Sequence, residues 1–278
     1  SPETTSLSQA DAALRGVERL RYYLESGVTT VRDVGSHGMA PFILKKYINE
    51  GDIPGPRIFA AGQIIVGQGG HSTEGYGLKT APAYKNTMIR EASGPDDWRE
   101  AVRHQFKNGA DVIKLASHYA PEEIQAAIDE AHHLGLRVTV DAETQYIDMA
   151  IDASVDSIEH PMPRSDKAIR LMQKNNIAAI PTIWILNQVI DWGKGGYWGS
   201  TSRRFTTSKQ RSLAMLQKLK DAGVKIGVGT DLVLTLYKML PTPYIEELKN
   251  FQAVGYSVEE ALVAATKTNA EILGMDDK

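Results

Sequence analysis

Gly109-Ala-Asp-Val-Ile-Lys-Leu-Ala116, then Pro121-Glu-Glu-Ile-Gln-Ala-Ala-Ile-Asp-Glu-Ala-His-His-Leu134, then Gly135-Leu-Arg-Val-Thr-Val-Asp141 is the stretch that decides the fold. It reads as a buried strand, a helix opened by a proline in its first turn, a glycine corner, and a second buried strand. Both strands are continuous apolar or β-branched runs, the pattern of parallel strands covered on both faces. Glycine suits the corner because it enters the left-handed region after a helix without a Cβ clash.

Working outward, the corner recurs at Gly27-Val28 and Gly223-Val224, and Ser154-Val155 takes its place once. Strands are predicted at 28–33, 57–62, 111–116, 137–141, 156–160, 178–182 and 225–230. Helices are predicted at 9–25, 40–49, 96–108, 121–134, 144–153, 165–175, 206–222, 243–253 and 257–267. Ser8 with Asp11, and Ser257 with Glu260, have capping-box spacing. Regular alternation of helix and strand means an α/β protein with a parallel sheet covered by helices. The expectation is a (β/α)8 TIM-type barrel, incomplete because seven strands are read and the chain opens on a helix. Such a gap leaves strand edges to be covered, by residues before Ser1 or by Ser1–Ser8. A doubly wound open sheet is the competing form, but Asp33-Val-Gly-Ser-His-Gly38 is a poor phosphate loop.

The 278 residues suit one large domain, and no low-complexity tract or linker divides them, so residues 1–278 are read as a single domain. Lys+Arg 31 against Asp+Glu 34 leaves a net charge of −3, which argues against nucleic acid or an anionic membrane as a partner. No apolar run approaches the roughly 20 residues that span a bilayer. With 42% hydrophobic and 23% charged residues the composition is that of a soluble globule. The absence of cysteine removes disulfides, thiolate metal sites and thiol catalysis together. No signal peptide is read, so the expected address is cytoplasmic. The expected partner is a small-molecule substrate, with a homo-oligomer as the form of assembly.

In a barrel the reactive groups project from the C-terminal ends of strands. Those ends carry Arg32-Asp33, Lys114, Asp141, His160, Thr182 and Asp231, each closing an apolar run. One such charge is ordinarily a solvated edge; a succession of them on converging strands points to a shared mouth. His, Asp and Lys together suit a hard or borderline divalent ion with oxygen and nitrogen ligands. Such an ion brings the pKa of a bound water to roughly 7, and a carboxylate beside it, Asp231, can carry the proton to a leaving amine. Lys114 has a plainer reading as a salt-bridge partner of Asp33 or Asp141.

The segments Gly27-Val-Thr-Thr-Val-Arg-Asp33, Gly55-Pro-Arg-Ile58, Gly69-Gly-His71, Gly109-Ala-Asp-Val-Ile-Lys114, Asp156-Ser-Ile-Glu-His160 and Gly223-Val-Lys-Ile-Gly-Val-Gly-Thr-Asp231 resemble the amidohydrolase superfamily. The branch they look most like is that of the prolidase-like and imidazolonepropionase-related hydrolases, from about Gly27 to Gly274. The resemblance implies a (β/α)8 barrel holding one or two divalent ions, usually zinc, that hydrolyses amide or related bonds. It implies that Lys114 is carbamylated and bridges metals, that His160 is a metal ligand, and that Asp231 binds metal and shuttles the proton. Asp141 stands where the family usually has a histidine ligand. His71 would line the pocket. The family's first-strand His-x-His pair and flanking β-sandwich have no counterpart in these residues.

Gly67-Gln-Gly-Gly-His71 lacks the Lys-Ser/Thr of a phosphate loop and reads as a flexible pocket edge. His118 follows Lys114 by four residues and is a candidate pocket group; His104, His132 and His133 fall on helix surfaces. The stretch from Trp184 to Arg204 is either a substrate lid with aromatic walls or a surface helical hairpin with buried tryptophans. Arg164, Arg203 and Arg204 could pair with a substrate carboxylate. The resulting expectation is a metal-dependent hydrolase of dipeptides or N-acyl amino acids. Its alternative is a barrel fragment or engineered scaffold from such an enzyme, impaired in catalysis. A phosphate-binding barrel isomerase is set aside, since Leu-Val-Leu-Thr-Leu-Tyr-Lys after Asp231 has no glycine pair.

Overall fold

A computed structural model describes residues 8–71, 73, 88–162, 165–192, 208–233 and 235–275. Its contacts gather into two compact units, Ser1–Thr139 with Val233–Leu240, and Val140–Leu232 with Pro241–Lys278. No linker marks this division of the expected single domain: it falls inside a strand.

The first unit runs α1 (Gln9–Glu25), β1 (Thr30–Asp33), α2 (Ala40–Glu50), β2 (Arg57–Ala60), β3 (Ile64–Gly67), β4 (Ile89–Ala92), α3 (Gly94–Lys107), β5 (Val112–Ala116) and α4 (Pro121–His133), and enters β6 (Arg137–Glu143). The predicted cap of α1 forms: Ser8 Oγ accepts from the Asp11 N–H at 3.1 Å while Asp11 accepts from the Ser8 N–H at 3.3 Å. β1 and β2 pair in parallel from Thr30↔Arg57 to Asp33↔Ala60.

The predicted strand 57–62 turns out to be the first half of a stave that changes partner. Gly62, at φ +77°, breaks it where a Cβ would meet Gln105 Oε1 at 2.3 Å. The second half, β3, pairs in parallel with both β4 and β5. The break is stitched by polar contacts. The Ala61 N–H donates to Asp33 O and the Asp111 N–H to Ala60 O, both at 2.9 Å. The Asp111 carboxylate in turn accepts from the Ala60 N–H at 2.9 Å and from Lys45 at 2.6 Å. β4 was not predicted because Ile89-Arg-Glu-Ala92 lacks an apolar run. Its two charges are held locally, Arg90 by Asp97 and Glu91 by the Gly69 N–H.

The second unit holds the rest of β6, then α5 (Gln145–Asp152), β7 (Ser157–Met162), α6 (Asp166–Lys174), β8 (Ala178–Ile180), α7 (Ile183–Trp192), α8 (Lys209–Asp221), α9 (Thr242–Ala253), α10 (Val258–Val263) and α11 (Asn269–Leu273). β7 lies between β6 and β8 and pairs with β8 in parallel from Ser157↔Ala178 to Glu159↔Ile180. Ser154 does occupy a glycine-type corner, at φ +64°. The Ser257–Glu260 capping box also forms.

The predicted strand 225–230 needs correcting, since it is reduced to a single parallel bridge, Ala179↔Ile226. Its glycines explain why. A Cβ on Gly227 would meet Asn269 Oδ1 at 2.3 Å, and one on Gly229 would meet Ile180 Cγ2 at 2.6 Å. Asn269 takes the place of a strand neighbour. Its Oδ1 accepts from the Val228 N–H at 3.1 Å and its Nδ2 donates to Val228 O at 2.9 Å. Among the described residues no helix is long and apolar enough to cross a membrane.

Candidate functional site

Three of the expected residues meet in the second unit. Asp141 lies on β6, two residues before its end, His160 sits on β7, and Asp231 follows the segment bridged to β8. His160 Nε2 lies 3.7 Å from Asp231 Oδ2 and 3.9 Å from Asp141 Oδ2. Both separations are too long for a hydrogen bond. Asp141 is buried, whereas the Asp231 side chain keeps 39% exposure and can exchange protons with solvent or substrate.

The other ring nitrogen explains the orientation. His160 Nδ1 is hydrogen-bonded to Thr182 Oγ1, and the Thr182 hydroxyl donates its own hydrogen to Pro181 O at 2.9 Å. With that hydrogen committed to Pro181 O, the hydroxyl accepts from Nδ1–H, and Nε2 faces the two carboxylates. An imidazole nitrogen and two carboxylates turned toward one region suit a cation.

The backbone here is strained. His160, Thr182 and Asp231 adopt φ of +50°, +46° and +45°, a region that L-residues enter at a cost of about 1–3 kcal/mol each. Such strain persists only where surrounding structure over-determines it, and it collects at functional sites. Sequence alone marks Thr182 only as a strand end; that it orients His160 follows from its hydrogen bond to a residue 22 positions away.

Thr182 is followed directly by α7, whose first two N–H groups are held by a carboxylate from α9 that the sequence reading missed. Glu247 is completely buried and accepts from the Ile183 N–H at 2.9 Å, the Trp184 N–H at 2.6 Å and Asn250 Nδ2 at 3.4 Å. Burial pushes its carboxyl up to about 7, against the lowering effect of those three donors. A glutamate in the middle of an amphipathic helix gave no signal of this role.

Of the remaining expected residues, Lys114 belongs to the first unit, on β5, with 3% exposure. His71 and His118 are in that unit too, and the Gly67–Gly70 loop lies directly on the Ser117–His118 backbone. Gly67 N–H donates to His118 O at 2.8 Å, and a Cβ at Gly67 would stand 2.1 Å from that oxygen. Gly67 and Gly70 therefore serve close packing, whereas a Cβ on Gly69 would meet nothing within 4 Å. Trp184 is buried at 5% exposure in α7. Arg164, Arg203 and Arg204, and the part of the Trp184–Arg204 stretch beyond Trp192, fall outside the described residues.

Residues 4–278 match the Amidohydrolase family over almost the entire chain. The chain belongs to the amidohydrolase family. Among curated relatives, this amidohydrolase is 25% identical over 235 residues to an ochratoxinase from Aspergillus niger, covering 75% of its own chain and 48% of the relative. It thus spans about half the length of that relative. Among solved structures, a Xaa-Pro dipeptidase with methionine bound in its active site is 28% identical, with a TM-score of 0.81 over 98% of this chain and 70% of the other. A prolidase complexed with N-methylphosphonate-L-proline is 25% identical, with a TM-score of 0.82 over 100% of this chain and 71% of the other. The fold class is accordingly that of the (β/α)8 TIM-type barrel, with an open and incomplete sheet.

Such a family implies a divalent ion, and the donor set here suits one in its chemistry. One imidazole nitrogen and two carboxylates match the oxygen and nitrogen preference of zinc and similar ions. The distances of 3.7 and 3.9 Å from Nε2 exceed the roughly 3.4 Å between neighbouring ligands of a tetrahedral zinc. Among the described residues no group of three or more His, Asp or Glu closes as a metal site. The chemistry fits, and the cluster stands slightly open.

Proposed function

We propose that this amidohydrolase is a metal-dependent hydrolase of amide or peptide-like C–N bonds, acting on small substrates of the dipeptide or N-acyl amino acid class. The observation that carries the reading is the convergence of the Asp141 and Asp231 carboxylates on a histidine nitrogen whose opposite nitrogen is tied to Thr182. The prolidase and ochratoxinase relatives support the substrate class by likeness.

His160, Asp141 and Asp231 would hold a divalent ion, zinc by the family's habit. When bound, such an ion supplies a Lewis acid that acidifies water and polarises an amide carbonyl. The protein's own part is proton handling and orientation. Asp231, the most exposed of the three carboxylate and imidazole groups, takes the proton of the attacking water and delivers it to the leaving nitrogen. Asp141, buried, serves as a fixed negative charge. Thr182 keeps the imidazole proton on Nδ1 so that Nε2 stays a donor to the cation. Lys114 carries its ammonium at a buried position, 3% exposed, where an unpaired charge is costly. Carbamylation of its amine would replace that cation with a ligating anion.

The test is Asp231→Asn, assayed on Xaa-Pro dipeptides and N-acyl amino acids with metal content measured in parallel. The expected result is a loss of kcat of about 100- to 10,000-fold with zinc retained. Undiminished turnover by the variant would end the proposal.

A further inference from the structure

We infer that Glu247 is a positioning residue for His160, acting through the first turn of α7 and Thr182 to decide which imidazole nitrogen faces Asp141 and Asp231. The inference rests on the functional reading above only in taking that nitrogen to matter.

The connection is short and continuous. The two N–H groups that Glu247 accepts belong to Ile183 and Trp184, the residues that immediately follow Thr182. These are helix-start donors, which have no partner within the helix and must find one outside it. A completely buried carboxylate is an expensive way to satisfy them, since Ser, Thr or Asp at the cap would serve. What Glu247 adds is attachment to a different helix, α9. The start of α7 is thereby fixed to the body of the unit, independently of β8.

Thr182 needs such a hold. Its φ of +46° is one that a β-branched residue resists, and only contacts on both sides can keep it there. On one side, Gly229 brings the backbone so near that a Cβ would stand 3.4 Å from Thr182 Cγ2 and 2.6 Å from Ile180 Cγ2. On the other side are the two bonds from Glu247. Between them the hydroxyl is set with Pro181 O accepting its hydrogen and His160 Nδ1 donating to its lone pair. If the start of α7 relaxes, Thr182 can leave the left-handed region. His160 then loses the acceptor that defines its tautomer.

The experiment is read on the protein without added metal, so it does not depend on hydrolysis. Ring-15N spectra of histidine-labelled protein, at a pH where the imidazole is neutral, report the ratio of Nδ1–H to Nε2–H for His160, assigned by its loss in His160→Gln. Wild type is expected to be mainly Nδ1–H. Thr182→Val, which keeps shape and removes the acceptor, should lower the ratio by about fivefold, as the loss of one ordinary hydrogen bond implies. Glu247→Leu should lower it similarly although it does not touch the ring. Glu247→Gln retains one acceptor oxygen, should show a smaller decrease, and supplies the measurement should the leucine variant not fold. An unchanged ratio in Thr182→Val, or in the folded Glu247 variants, overturns the inference. Its failure is separable from that of the functional reading: normal turnover in Asp231→Asn removes the reading and leaves the tautomer result standing.

Discussion

Titration of Glu247 should make the stability of the second unit fall as pH rises through the weakly acidic range. Its ordinary carboxyl value is 4.5, which applies to the unfolded chain, and burial raises it to about 7 in the folded protein. Below 4.5 the group is protonated in both states, and the folded protein enjoys its full stability. Between 4.5 and about 7 the unfolded chain releases the proton while the folded protein retains it, so unfolding is increasingly favoured. Above about 7 both forms are ionised and the loss levels off. The difference of 2.5 units (7 − 4.5), at about 1.36 kcal/mol per unit, gives a loss of about 3 kcal/mol. Glu247→Gln removes the titration and keeps the shape. Urea denaturation of both proteins, followed by tryptophan fluorescence from about pH 4 to about pH 8, supplies the difference curve, in which other titrating groups cancel. Wild type should lose about 3 kcal/mol relative to the variant across that range. Parallel pH profiles would show that Glu247 is not held in an apolar site and would refute the reasoning.

Three further outcomes are expected. Gly67→Ala should destabilise the first unit by about 1–3 kcal/mol, because its Cβ would stand 2.1 Å from a backbone oxygen that cannot swing away; an unchanged Tm would contradict this packing. Asn269→Ala strips Val228 of both backbone partners and should cost about 1–3 kcal/mol, with faster hydrogen exchange at the Val228 amide as the local signature. Protein equilibrated with 13C-bicarbonate should give one carbamate resonance that Lys114→Met lacks; a spectrum without it would leave Lys114 as an unmodified buried amine.

The recurring unit of apolar strand, amphipathic helix and glycine corner was legible in the chain because each part obeys a local rule. Alternation of 2 and 3.6 residues, a cap, and a left-handed corner all act within a few residues. Even Ser154 in a glycine's place was readable. The strands the reading misplaced are those whose partners are remote. Arg57–Gly67 changes neighbours at Gly62, Ile89–Ala92 pairs despite two central charges, and 225–230 makes one bridge because the Asn269 side chain occupies its ladder.

The site divides the same way. That His160, Asp141 and Asp231 close apolar runs is a one-dimensional fact, and parallel strands bring such positions together, so the chain's order alone selected them. Which nitrogen of His160 is presented, and what holds it there, was decided by residues far along the chain. Thr182 is 22 positions from His160, and Glu247 is 64 and 63 positions from the two N–H groups it accepts. Local propensity places a glutamate of α9 in an ordinary helix; only the packing of α9 against the start of α7 buries it, raises its pKa and gives it two donors to hold. Sequence determines the unit and the types of reactive group, because these depend on neighbours in the chain. Tertiary structure determines tautomer, strain and burial, because these depend on neighbours in space.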